Sequence, residues 1–419
     1  MHYDNAKLTT VITNNRRYIA ESMVKLPSQQ ADFRKQINLE CTRRSRNVGS
    51  TIFGLAFSTN VNITRSGYLV GCSSDGMLLI WDLDHHSLSA SSHGSSHSKR
   101  RRTDDILSKK PVFKLQVCKG ALYDVDFIPQ SDGTDCVIVT CGDNGIFVYK
   151  NFLPLIQNGE VKINPQPISN LYPYPDMYAS KLRSEINRIS FDASLGHLFA
   201  AGGDGRGYVW DIGASKLVGN LGDENLMSGM NVVKAVGPNS EVSCNNCVLT
   251  GGDGMNPLCI WSGKDHKLIQ SVPIGNTSDP DYSSKPKSSS WVSCIDSDPA
   301  GRWVVVGGGK QATTEKGFVQ LFNLQSRSIT SYKETRASIH DIAFHSYSDK
   351  VISIGNQSIV SFWDPMDLSV GQTGCGLLSS PSSYCIGINP INDMMAIGNV
   401  SSSIDCFTEH LTRTNTLTR

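Results

Sequence analysis

Four features of this 419-residue sequence combine residue types and spacings that chemistry could use. The stretch GGDGRG at 202–207 could wrap a phosphate, because closely set glycines let backbone N–H groups approach an anion. Cys244 and Cys247 have the C-x-x-C spacing of half a zinc site. His93 and His97 stand four apart, the separation of two ligands on one helix face. Lys99, Arg100, Arg101 and Arg102, with Lys109 and Lys110 after them, form a basic run that a nuclear import receptor could read in an exposed loop.

Three of the four lose their chemistry once the elements that must carry them are considered. A phosphate loop follows a strand and opens a helix, so that the helix dipole faces the anion. Here Gly207 leads into YVWDI, a strand pattern, and similar glycine clusters recur at 142–145 and 251–254. No second C-x-x-C pair follows Cys247, and Gly-Ser-Ser between His93 and His97 breaks a helix. His85 and His86 belong to the same polar loop. There is no G-x-S-x-G elbow, and His197 falls at the start of a strand rather than before one. His340, Asp341 and His345 flank another strand, where hydrogen bonds between packed sheets are the plainer role. No spacing justifies a carboxylate pair or triad, so the sequence points to no catalytic residue, metal or cofactor. The basic run keeps two readings, an import signal and a solvated patch, and its otherwise uncharged flexible loop favours import.

The elements themselves repeat. Seven segments share one grammar: a β-branched apolar run, a Gly/Asp turn, a second apolar run and an aromatic near its end. YLVGCSSDGMLLIWDLD (68–84) and HLFAAGGDGRGYVWDIG (197–213) are two of them. The aromatics are Trp81, Tyr149, Trp210, Trp261, Phe322, Trp363 and Phe407, as close as 41 residues apart between Phe322 and Trp363. Asp75, Asp143, Asp204 and Asp253 occupy equivalent turn positions, where a carboxylate can accept from nearby backbone. A shorter alternating run precedes each pair, such as TIFGLAFS (51–58) or EINRISFD (185–192), and would line a central channel. A fourth run follows several, such as SKLVGNL (215–221). A period near forty with four strands per unit is the signature of a propeller blade. Closing such blades into a ring buries their faces against one another. The expectation is therefore all-β: a seven-bladed WD40-type β-propeller over 51–419 with a basic N-terminal extension, 1–50. Either the segment before Thr51 or the tail TRTNTLTR (412–419) could complete the last blade. Three stretches read as insertions: 85–110 (Ser/His-rich and disordered), 158–183 and 275–290.

Formal net charge is +1, so no global field draws the chain to nucleic acid or membrane. Residues 1–50 hold nine Lys/Arg against four acids, room for a weak nucleic-acid contact beside the plainer reading of a solvated extension. No run approaches the ~18 apolar residues of a membrane span. The twelve cysteines are scattered and read as reduced, buried small hydrophobes of a cytosolic or nuclear protein.

Several stretches resemble the THO complex subunit 6 family of WD-repeat propellers. They are KKPVFKLQVCKGALYDV (109–125) as the lead-in to the second blade, EINRISFDASLGHLFAAGGDGRGYVWDIGASKL (185–217), WVSCIDSDPAGRWVVVGGG (291–309) and IDCFTEHLTRTNTL (404–417). The resemblance implies a non-enzymatic nuclear scaffold in mRNP assembly and mRNA export. Its implied partners are other THO subunits, chiefly the coiled-coil subunits 5 and 7, with any RNA contact indirect and no membrane or small-molecule substrate. The competing reading is a substrate receptor of a ubiquitin ligase. Such receptors place Arg two residues after the Trp-Asp pair, whereas here Leu83-Asp84, Ile212-Gly213 and Pro365-Met366 follow.

Overall fold

The computed structural model describes residues 50–418 except 59–66, 84–109, 130–135, 150–168, 172–184, 223–228, 237–245, 254–256, 276–289, 311–312, 369–371, 401, 409 and 411–412. The described residues hold 28 strands in seven antiparallel four-stranded sheets, each a meander of consecutive strands. This is a seven-bladed β-propeller. The inner strands are Ile52–Phe57, Leu122–Pro129, Ile186–Asp192, Gly229–Val236, Ser290–Ser297, Ile339–His345 and Ser383–Ile388. Second and third strands are buried almost throughout, as in Tyr68–Ser73 and Gly145–Tyr149. Outer strands alternate exposed and covered positions, as in Lys216–Leu221. That gradient explains the sequence pattern: continuous apolar runs where both faces are covered, polar alternation at the rim.

Each of the seven aromatics lies on a third strand and is at most 5% exposed. Each also packs into a different one of seven hydrophobic clusters, one per interface between blades. Trp81 fills the cluster shared with blade seven, Tyr149 the one shared with blade one, and so around the ring. The large ring is thus the wedge that sets the spacing of neighbouring blades. Trp261 and Trp363 also donate their indole N–H to Thr250 and Ser353, each at 2.8 Å. Both acceptors lie two residues beyond the cross-strand partner of the Trp. In blade one that position is Gly71, and the buried Trp81 Nε1 has no partner among the described residues. Trp261→Phe or Trp363→Phe therefore strands a hydroxyl and should cost about 1–3 kcal/mol beyond lost contact area. Trp81→Phe removes an orphan donor and should cost visibly less, which chemical denaturation of the three variants checks.

Two sequence assignments change. The lead-in to blade two, KKPVFKLQ, holds the outer strand of blade one, Phe113–Gln116. The stretch 158–183 is not wholly an insertion, because Ser169–Leu171 forms the outer strand of blade two. The ring closes with the tail: Arg413–Thr418 pairs with the third strand of blade seven. No described strand from before Ile52 joins that blade. Closure rests instead on side chains, with Ile52, Leu69 and Trp81 packed against Cys385, Ile404 and Leu417. The Cys385 thiol and the Ser402 hydroxyl add bonds to the carbonyls of Ile52 (3.7 Å) and Ser50 (2.5 Å).

Candidate functional site

Every inner strand carries a β-bulge near its start, so one residue per blade is squeezed out of the ladder. Those residues are Phe53, Tyr123, Asn187, Asn231, Ser293, His340 and Tyr384, and they ring one mouth of the channel. Four of them bridge to the next blade. Asn187 donates to Met230 O at 2.9 Å, Asn231 to Val292 O at 3.0 Å and Ser293 to Ile339 O at 2.5 Å, while His340 Nδ1 meets Ser383 O at 3.0 Å. Each acceptor immediately precedes the bulge of the following blade. The remaining arc is aromatic. Phe53 lies 5.6 Å from Tyr123 and 5.2 Å from Tyr384, and Tyr384 stacks on His340 at 4.6 Å. One-residue bulges are invisible without strand register. Aligning the inner runs on their apolar positions would have exposed the recurring polar or aromatic residue.

Below the mouth, a cavity of about 350 Å³ holds the buried charges. Arg188 in blade three reaches Asp341 in blade six at 3.0 Å and Asp124 in blade two at 3.5 Å, so its guanidinium spans the channel. Burial works against this cation, but the carboxylates of Asp341 and Asp124 outweigh it and hold its pKa above the ordinary value. Burial raises Asp124 and Asp341, and Arg188 opposes that rise. Each carboxylate also accepts a backbone N–H from the next blade, Ile189 at 3.0 Å and Ile386 at 2.7 Å. One layer down, Lys234 pairs with Asp296 at 2.7 Å, and Asp296 takes the Phe344 N–H at 2.9 Å. The arrangement ties blades together across and around the axis. Its acids are engaged by Arg188, Lys234 or backbone.

Asp126 is the strained member. Burial first, then Asp124, lifts its pKa from 3.8 to about 6. The folded ring therefore holds this proton more tightly than the unfolded chain does. That contribution to stability is complete below about pH 4 and lost as pH rises through 6. Asn at this position can still accept the Phe127 N–H, which lies at 2.8 Å. Asp126→Asn should stabilise the protein at pH 7.5 by at most about 3 kcal/mol, with the gain vanishing below pH 4. Thermal unfolding across that range measures it.

The residues singled out from sequence fall as follows. Gly202, Gly203 and Gly205 use their N–H groups on Arg206, Glu185 and Gly202 carbonyls, so the supposed phosphate cradle is filled by its own turn. Asp143 accepts from Ala121 N (2.7 Å) and the Tyr123 hydroxyl (2.8 Å), linking its turn to the channel mouth. Asp75 takes the Ser73 hydroxyl at 2.7 Å, and Asp204 takes Arg206 N at 3.2 Å and the Tyr208 hydroxyl. Asp253 ends a second strand, facing Gly229. His345 Nε2 donates to Asp393 O at 2.8 Å, a bond between blades six and seven. His197 sits 6.0 Å from His266 at the interface of blades three and four, and no group of three metal-ligating side chains occurs among the described residues. Cys247 is buried, and burial pushes Cys72, Cys141 and Cys385 well above the usual thiol range, the opposite of a nucleophile's environment. Lys110 is exposed. Lys99, Arg100, Arg101, Arg102, Lys109, Cys244, His93, His97 and residues 1–49 lie outside the described residues. No described helix is long and apolar enough to cross a membrane.

Among curated proteins, the chain is similar to the THO complex subunit 6 of Arabidopsis thaliana: 24% identical over 379 residues, 86% of this chain and 89% of the relative. No protein-family model matches.

Proposed function

We propose that this protein is a non-enzymatic scaffold subunit of a nuclear THO-type complex, acting in mRNP assembly and mRNA export. The observation that carries this reading is the likeness to a THO complex subunit 6 over 86% of the chain. The geometry supports it. The channel is lined by ion pairs that brace the blades into a rigid ring, a platform suited to docking. The partners in this reading are other THO subunits, the coiled-coil subunits 5 and 7 among them, with RNA contacted through them.

Affinity purification of the tagged protein from nuclear extract, with mass spectrometry, tests it. Stoichiometric recovery of THO subunits is the expected result; recovery of ubiquitin-ligase adaptors without them would sink the reading. Nuclear import through Lys99–Arg102 is a separate part of the proposal. Replacing those four residues by Ala should shift the protein to the cytoplasm, and unchanged nuclear accumulation on imaging would remove that part alone.

A further inference from the structure

The end of the ring opposite the aromatic mouth carries the turns between inner and second strands. Three turns between inner and second strands are closed by a pair five residues apart: Asp192 with His197 in blade three, His345 with Lys350 in blade six and, just beyond the strand ends, Asn389 with Met394 in blade seven. In blade three the tip is Ser194, whose N–H caps Asp192 Oδ1 at 2.9 Å, and a left-handed position is filled by Gly196 at φ 66°. Blade seven makes the same cap with Ile391 N and Asn389 Oδ1, also at 2.9 Å. The turn thus works with a small polar tip and a glycine. Blades six and seven instead place Tyr347 and Ile391 at the tip, 56% and 48% exposed, and Asp349 and Asp393 at the left-handed position, φ 47° and 54°. A non-glycine residue there costs strain, and a large apolar tip costs solvation.

The two turns lie side by side. His345 Nε2 donates to Asp393 O at 2.8 Å, and its Nδ1 accepts the Ser348 hydroxyl at 2.9 Å. Tyr347 packs edge-on against His410 at 5.3 Å. Met366, 73% exposed, sits at the same end of blade six, in a connection that also carries Asp364 and Asp367. Lys350 is the cation within the two turns. Apolar tips set among carboxylates complement one kind of partner.

We propose that the turns of blades six and seven form a docking surface for a protein segment whose apolar side chains are flanked by Lys or Arg. The carboxylates repel a phosphate backbone, so nucleic acid is not the occupant.

The test uses the full chain with methyl-labelled Ile, Leu and Met, and an 18-residue amphipathic Leu/Lys peptide as probe. The Ile391 and Met366 methyl signals, assigned by Ile391→Val and Met366→Leu, should shift, while Leu268 on the outer strand of blade four should not. Affinity should fall at least tenfold for Tyr347→Ser with Ile391→Ser, and likewise for Asp349→Gly with Asp393→Gly. Both pairs install residues that blade three already uses in this turn, so folding should hold, and undisturbed methyl signals from the channel would verify it. A Leu/Glu peptide should not bind. Unshifted Ile391 and Met366 signals at 1 mM peptide, unchanged affinity of the variants, or equal shifts with the Leu/Glu peptide or a uridine oligomer would each overturn the proposal.

Discussion

Arg188→Met should destabilise the ring by about 3–5 kcal/mol, because it leaves two buried carboxylates facing each other across the channel without a cation. The side chains of Asp341 and Asp124 are only 3% and 11% exposed. Their remaining bonds to the N–H groups of Val125, Ile189, Ile342 and Ile386 cannot offset two uncompensated charges in a low-dielectric cavity. The defect should shrink as pH falls, since burial already raises both carboxyl groups and loss of Arg188 raises them further. Adding Asp124→Asn and Asp341→Asn to Arg188→Met should recover much of the loss at pH 7.5. Urea unfolding of the wild type, the single variant and the triple variant provides the comparison. An Arg188→Met protein as stable as the wild type at pH 7.5 would mean the cation is solvated rather than bridging.

Asp405→Ala should be comparably costly for a different reason. This carboxylate is fully buried and accepts from Ser379 N at 2.7 Å, Asn399 Nδ2 at 3.2 Å, Thr416 Oγ1 at 3.0 Å and Arg413 Nη2 at 2.6 Å. Two of those donors lie on the last strand, Arg413–Thr418, so Asp405 latches the strand that completes the ring. Removing it strands two buried donors, Ser379 N and Asn399 Nδ2, at about 1–3 kcal/mol each before relaxation. It also loosens Leu417 from the cluster between blades seven and one. Hydrogen exchange should quicken first in Ser403–Phe407 and Ile52–Phe57, on the two sides of the seam. Asp405→Asn keeps acceptors but weakens the Arg413 bond, and should fall between wild type and Ala. Uniform exchange around the ring in the Ala variant would show that the seam is not where closure is decided.

The ring was legible in the sequence where the physics repeats. Trp81, Tyr149, Trp210, Trp261, Phe322, Trp363 and Phe407 recur because each interface needs one large wedge, and the Gly/Asp turns recur because each blade turns the same way. Ser169–Leu171 was hidden because three residues in a Pro/Tyr-rich stretch carry no period. Phe113–Gln116 was hidden because a long polar segment separates it from its own blade. The closing element stayed open between two segments until strand pairing chose the tail. The channel charges were least legible. Arg188 and Asp341 are 153 residues apart, and only closure of the ring makes them neighbours. The bulged residues at the mouth were masked by the one-residue slips that create them.

The most direct test of a docking ring in a THO-type assembly is reconstitution with purified THO subunits, read by light scattering after size exclusion. The wild-type chain should co-elute stoichiometrically with the coiled-coil subunits, and the Arg188→Met, Asp124→Asn, Asp341→Asn protein should do so too, since its ring is closed without the Arg188 bridge. A wild-type chain that is folded yet elutes alone at every ratio would contradict it.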